Sequence, residues 1–237
     1  MTESLLTALI LFAATLISST FGFGNALFAM PLLTLLLGLQ TAIPLFGLVG
    51  PTIATVILAR NWQRVEFASS WRLVCTTLMG IPIGVLLVKV LPGTLITRPL
   101  GIFMIAFGLY RLANLQLAKL DSALWAFPFG FVAGILGGAY NTNGPLIVVY
   151  GEMRRWLPAQ FRATLQSYFM PTGLGIVVSH AVAGLWNLKI FQLYGLSLPG
   201  ILVAIAIGGW INQQLPVERF QALLSGLLII FGMLLWI

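Results

Sequence analysis

Gly137-Gly138-Ala139-Tyr140-Asn141-Thr142-Asn143-Gly144-Pro145 reads as one helix stopping and another starting. Glycine permits the backbone conformations that end a helix, and proline suits the first turn of the next one. The break lies within residues 122–151, which contain no Asp, Glu, Lys or Arg. Non-helical backbone at membrane depth is tolerated only where protein or a water-filled cavity surrounds it. A second stretch of this kind lies upstream. Ser18-Ser19-Thr20-Phe21-Gly22-Phe23-Gly24-Asn25 interrupts the charge-free residues 4–59.

Residues 163–188, 190–217 and 220–237 are free of charge as well. The chain has 237 residues, 59% hydrophobic and only 7% charged, where a soluble domain carries roughly 25%. A helical crossing needs about 20 mostly apolar residues, whereas barrel strands are ~10-residue alternating segments. The runs here predict a bundle of membrane-spanning helices. The apolar stretch after Ser4 is too long for a cleaved leader and lacks a positive region before it, so it reads as a retained segment. The net charge of +7 is assigned to flanking Lys and Arg that orient helices and meet anionic lipid, not to nucleic acid. Cys75, the single cysteine, excludes an intrachain disulfide and a multi-cysteine metal site; it reads as a small apolar filler.

The sequence repeats once. An offset of 124 pairs Trp62 with Trp186, Phe67 with Phe191, Gly84 with Gly208, Leu91-Pro92 with Leu215-Pro216, and Phe107-Gly108 with Phe231-Gly232. Upstream the offset shrinks, to 120 between Pro51-Thr52 and Pro171-Thr172 and to 114 between Pro31-Leu32 and Pro145-Leu146, as loop insertions would make it. The expected organisation is a first repeat 1–113, with a broken stretch 5–38 and helices 42–59, 72–91 and 98–113. A linker 114–122 follows. The second repeat, 123–237, has a broken stretch 123–150 and helices 163–184, 189–211 and 219–236.

Cytoplasmic flanks collect Lys and Arg, which tests whether each broken stretch crosses once or turns back. With single crossings the cations divide six against six. With hairpins, Arg60, Arg64, Arg72, Arg111, Lys119, Arg154, Arg155, Arg162 and Arg219 share one side against Lys89, Arg98 and Lys189 on the other, nine against three. The expected fold is therefore an all-α polytopic membrane protein of two inverted repeats, each a broken-helix hairpin plus three transmembrane helices, with both termini outside. The second hairpin has about 22 Å per arm, short of the ~30 Å hydrocarbon core, so its arms should meet inside the protein.

A helix starting at such a break points unpaired N–H groups and a partial positive charge at the cavity, which favours an anion. The dipole supplies only about 0.3–2 kcal/mol per helix end, so hydroxyl and amide donors must help. The expected binding residues are Gly24, Asn25, Gly138, Tyr140, Asn141, Thr142, Asn143, Gly144 and Ser167, with Gln166 and Tyr168 as further candidates to line the cavity. Pro51, Thr52, Pro171 and Thr172 fall mid-helix at matching positions, where proline frees a carbonyl and kinks the helix. They are expected to gate, a static kink being the alternative. Isolated glycines such as Gly80, Gly84, Gly101, Gly108, Gly134 and Gly208 read as packing residues. His180, the single histidine, lies near a helix end and reads as an interfacial ring, a proton carrier being the weaker reading. Trp62, Trp71, Trp125, Trp156 and Trp186 read as an interfacial belt.

Gly22-Phe23-Gly24-Asn25-Ala26-Leu27-Phe28-Ala29-Met30-Pro31-Leu32-Leu33 and Gly134-Ile135-Leu136-Gly137-Gly138-Ala139-Tyr140-Asn141-Thr142-Asn143-Gly144-Pro145-Leu146 resemble the repeated glycine-rich break and Pro-Leu of the sulfite exporter TauE/SafE family. The resemblance implies passage of a small anion, often sulfur-containing (sulfite or a sulfonate), across the bacterial inner membrane. Members of that family often have a denser glycine run before each proline. Here Asn25-Ala26-Leu27-Phe28-Ala29 and Ala139-Tyr140-Asn141-Thr142-Asn143 stand in that place. The expected partners are a small anion and the lipid bilayer, with proton or sodium coupling left open and no cofactor or metal. An intramembrane enzyme would need a nucleophile, base or metal ligands at depth, and a cation carrier would need carboxylates along its path; the sequence offers neither. An uncoupled anion channel or facilitator is the remaining alternative.

Overall fold

The computed structural model describes residues 2–61, 67–113, 117–156, 158–212 and 217–235. Among these the secondary structure is helical. The first five helices are α1 (Thr2–Phe21), α2 (Asn25–Leu37), α3 (Leu39–Asn61), α4 (Phe67–Val90) and α5 (Gly93–Leu112). After a 3-10 turn at Ala123–Trp125 come α6 (Ala126–Tyr140), α7 (Gly144–Met153), α8 (Pro158–Val182), α9 (Leu188–Ile211) and α10 (Val217–Leu234). Six helical segments are long and apolar enough to cross a membrane, and the chain is an all-α polytopic membrane protein. α8 is not one of the six, because its apolar run is broken by Thr164, Gln166, Ser167, Thr172 and His180. All five are buried in the bundle, away from lipid.

The direction of each helix follows from what its ends touch. Glu3 pairs with Lys189 at 2.7 Å, and a methyl group at Gly208 would meet Leu16 and Thr20, so α1 and α9 run parallel. On α4 and α6, Leu73 lies beside Gly130, Thr77 beside Gly134 and Ile81 beside Gly138, again parallel. By contrast, Gly47 lies against His180 and Pro51 against Gly173, while Gly101 lies against Gly232 and Gly108 against Ser225. Both α3–α8 and α5–α10 therefore cross antiparallel.

The second broken segment goes in and comes back. The Leu120 amide donates to the Met153 carbonyl at 2.9 Å, and Arg154 donates to the carbonyls of Leu120 (2.7 Å) and Asp121 (2.6 Å). Its two ends thus lie side by side. The first segment returns as well. α3 starts at the end of the bundle where α8 stops and α9 begins, which is also where α1 begins. The second arms are short. α7 has 10 residues, ~15 Å of helix, and α2 has 13, ~20 Å. Neither reaches through a ~30 Å core, so both start inside the protein.

Glycine holds α4 and α6 together. A Cβ at Gly80, Gly84, Gly130, Gly134 or Gly138 would overlap the backbone of the facing helix, so α4 and α6 approach to backbone contact along a continuous seam. Gly208 plays the same part between α9 and α1, and Gly108 and Gly232 between α5 and α10.

Three expectations change. Cys75 is exposed on α4 and fills no core space, because it points away from the Gly80–Gly84 seam. Trp71 and Trp125 face outward, but Trp156 packs edge-on between Tyr150 and Phe161, and Trp186 edge-on against Phe191. Aromatic neighbours brought in by folding hold these two rings inside the protein. His180 is wholly buried, not interfacial: it lies in the last turn of α8, but its ring packs against Gly47 of α3. Trp62 and Arg64 lie outside the described residues.

Candidate functional site

The two breaks meet. Gly24 and Asn25 from the first and Asn141, Thr142, Asn143 and Gly144 from the second line one cavity. Further walls come from α3, through Phe46, Gly47, Gly50 and Pro51, and from α8, through Gln166, Phe169, Gly173 and Ile176.

Backbone geometry at the breaks explains their residue types. Gly22 and Gly24 have φ of 90° and 97°, a conformation that a side chain would strain. At the second break Asn141 has φ 55°, and asparagine is the residue after glycine that tolerates this best. The Asn141 amide donates to the Gly137 carbonyl at 2.8 Å and the Thr142 amide to the Leu136 carbonyl at 3.3 Å, closing α6 with a left-handed cap. Each break is then tied to the opposite wall. Gln166 Nε2 of α8 donates to the Gly22 carbonyl at 3.3 Å, and Asn141 Nδ2 donates to the Ile43 carbonyl of α3 at 2.8 Å.

A new helix starts from each break. Gly24 precedes α2 and Asn143 precedes α7 without a capping bond from that residue, and at the α2 start Asn25 Oδ1 accepts from the Ala26 amide at 2.9 Å. α2 runs from the cavity toward the Glu3 end of the bundle and α7 runs toward the Glu152 end. Their N-termini therefore face the cavity from opposite sides. No Asp, Glu, Lys or Arg lines it, so the field there is set by backbone dipoles and amide groups. Head-to-head N-termini make that field positive.

Asn143 is held in place. Its Nδ2 donates to Thr172 Oγ1 at 3.3 Å, and Thr172 in turn donates to the Tyr168 carbonyl at 2.8 Å. The Tyr168 hydroxyl is within reach of Asn143 and bonds Thr77 of α4 at 2.9 Å. In the other half, Thr52 bonds the Tyr194 hydroxyl of α9 at 2.7 Å. Thr52 and Thr172 thus tie α3 to α9 and, through Tyr168, α8 to α4.

Some expected residues sit elsewhere. Gly138 packs on Ile81 and Val85 in the α4–α6 seam. Tyr140 is buried behind the break, and its carbonyl accepts from Thr142 Oγ1 at 2.9 Å. Ser167 donates to the Thr164 carbonyl at 2.9 Å and to Ser70 at 3.3 Å, away from the cavity. Of the four mid-helix residues, Pro51 lines the cavity and Thr52, Pro171 and Thr172 stand behind it. The lining of α8 went largely unread, although Gln166, Phe169, Gly173 and Ile176 recur at helical spacing. Gly47 and Gly50 have no chemical signal of their own.

At the Glu152 end the cavity is backed by a polar cluster. Glu152 ion-pairs with Arg111 and accepts from the Tyr110 hydroxyl at 2.6 Å. Arg155 donates to the Leu117 carbonyl at 3.0 Å, folding the linker under α7. Among the described residues no group of three His, Cys, Asp or Glu could hold a metal ion.

The sequence model of one protein family, described as Sulfite exporter TauE/SafE, matches residues 6–235. No curated protein and no solved structure matches the chain.

Proposed function

The chain belongs to the sulfite exporter TauE/SafE family, a family of membrane transporters of sulfur-related anions and not of enzymes, and from that premise we propose that it carries a sulfur oxyanion or organosulfonate, with sulfite the type substrate, through the cavity between the two breaks. The observation that carries this reading is the pair of helix starts, α2 and α7, facing one cavity lined by no charged side chain. Such a site attracts an anion through backbone N–H groups and repels a cation. The Asn141 and Asn143 amides and the Thr142 hydroxyl add polar contacts. Each helix end contributes only about 0.3–2 kcal/mol, so the anion is held weakly enough to leave again, as turnover requires.

The mechanism proposed is alternating access between two inverted repeats, α1–α5 and α6–α10. Exchanging the halves turns the α1–α9 packing into α6–α4, and α3–α9 into α8–α4, while α3–α8 and α5–α10 map onto themselves. These self-mapping pairs cross antiparallel, which supports an axis lying in the membrane plane. Pro51 and Gly173, in contact where α3 crosses α8, are the proposed pivot. The nine-to-three division of Lys and Arg puts the Glu152 end in the cytoplasm of a bacterial inner membrane. The test is uptake of labelled sulfite into proteoliposomes, beside sulfate, thiosulfate and a small sulfonate. The expected result is saturable sulfite uptake that is lost in an Asn141→Ala, Asn143→Ala protein that still folds. Folded wild-type protein that moves none of the four would refute the assignment.

A further inference from the structure

Gln166, Phe169, Gly173 and Ile176 line the cavity at intervals of three, four and three. The next residue on that face of α8, four further on, is His180. It is fully buried, one turn beyond the lining on the side toward the Glu3 end. A methyl group at Gly47 would come 2.8 Å from His180 Nδ1 and 3.4 Å from Asn141 Oδ1, so the ring and the amide oxygen flank the same point. Asn141 has turned its Nδ2 to the Ile43 carbonyl, which leaves Oδ1 on the histidine side. Neither that oxygen nor either ring nitrogen has a partner in hydrogen-bond geometry. The Gly138 carbonyl lies close enough to act on the ring but is not aligned with it.

We propose that His180 is a proton-binding site at the inner wall of the cavity, and that proton and anion bind together and move in the same direction. The inference rests on the anion-transport reading and names its coupling ion. Two acceptors lie near the ring, the Gly138 carbonyl and Asn141 Oδ1. A neutral imidazole can donate to one of them, and an imidazolium can donate to both. The positive charge also lies next to the break whose amides face the anion, so each ligand favours the other through the low-dielectric protein. By linkage the proton strengthens anion binding by the same factor as the anion strengthens proton binding.

Among the described residues no other charged side chain lies beside the ring. From α4, Lys89 ends on the Ala183 carbonyl at 2.9 Å, and Arg72 and Cys75 lie toward the other end. α3 carries only Arg60, at its far end. α6 brings Tyr140, and α7 brings Tyr150 and Glu152, the latter held by Tyr110 and Arg111. On α8 itself, Tyr168 is three turns away and Arg162 further still. The step is a simple one. A proton from water on one side adds to a ring-nitrogen lone pair, and it returns to water when the anion leaves on the other side.

Because His180 is the only histidine, NMR of protein labelled at histidine reads this ring alone. The expected result is that sulfite moves its titration to higher pH by about one unit, a tenfold linkage. In proteoliposomes a pH gradient should drive sulfite accumulation by wild-type protein and not by His180→Gln, whose sulfite exchange should also lose its pH dependence. Wild-type vesicles that exchange sulfite while the ring titrates identically with and without it would overturn the coupling and leave transport standing. The same holds for a His180→Gln protein that still accumulates sulfite down a proton gradient. Vesicles that exchange none of the anions would overturn the transport reading, and the coupling with it.

Discussion

Asn141 does two jobs, and they can be separated. Its backbone occupies the left-handed region at φ 55°, and its amide reaches Ile43 and the cavity. Asn141→Gly keeps the first job and removes the second. We expect it to fold with a melting temperature close to wild type and to lose most sulfite transport, roughly tenfold or more; undiminished transport would take the amide out of the site. Gly50 allows a cleaner probe of size. It lines the cavity, and a methyl group there would meet nothing within 4 Å. Gly50→Ala should fold at least as well, since alanine favours a helix interior by up to ~1 kcal/mol. It should slow a bulky sulfonate more than sulfite, read as the ratio of their uptake rates. Asn25, Asn141 and Asn143, which line the cavity, were legible as candidates because polar residues at membrane depth are costly without a purpose. Gly50 was not, because a glycine facing empty space looks in sequence like a glycine facing a helix.

The helices raise the question of why so many glycines lie on α4 and α6. Each small residue in that seam admits the partner's backbone, and within lipid close packing replaces the hydrophobic drive for helix association. Gly134→Val should therefore destabilise the protein by about 1–3 kcal/mol, seen as a lower melting temperature in detergent. Gly195→Val, at a position open to the surroundings, should not. An equal loss for both would mean that the seam carries no special weight. Gly138 shows what spacing alone does not give. It belongs to the glycine-rich run before the break, but it packs on Ile81 and Val85 of α4, and no described residue of α6 lines the cavity. The second hairpin was readable as having arms too short to span, whereas the first was expected nearly to span, and α2 with 13 residues falls short of that. That both second arms start on one cavity was not readable, because it depends on which neighbours folding brings to the helix ends.

The paths of the whole chain put both termini at the Glu3 end. With the single native cysteine replaced, a cysteine introduced in the Gly38 turn should react with an impermeant reagent from outside the cell. One introduced at Arg155 should react only from the cytoplasm; the reverse labelling would sink the proposed orientation. Length, charge-free runs and glycine-rich breaks by themselves determined that this is a helical membrane protein, where its helices are interrupted and which polar residues lie at depth. These are consequences of the cost of exposing charge or unpaired backbone to lipid, and that cost is paid locally along the chain. Only the tertiary structure decided that the two breaks, more than a hundred residues apart, close around one cavity. It alone placed His180 behind Asn141 and not at the interface, and put Ser167 and Gly138 against neighbouring helices. Those outcomes depend on which face of each helix meets which partner, and helix faces that are apolar nearly all round leave that choice to packing.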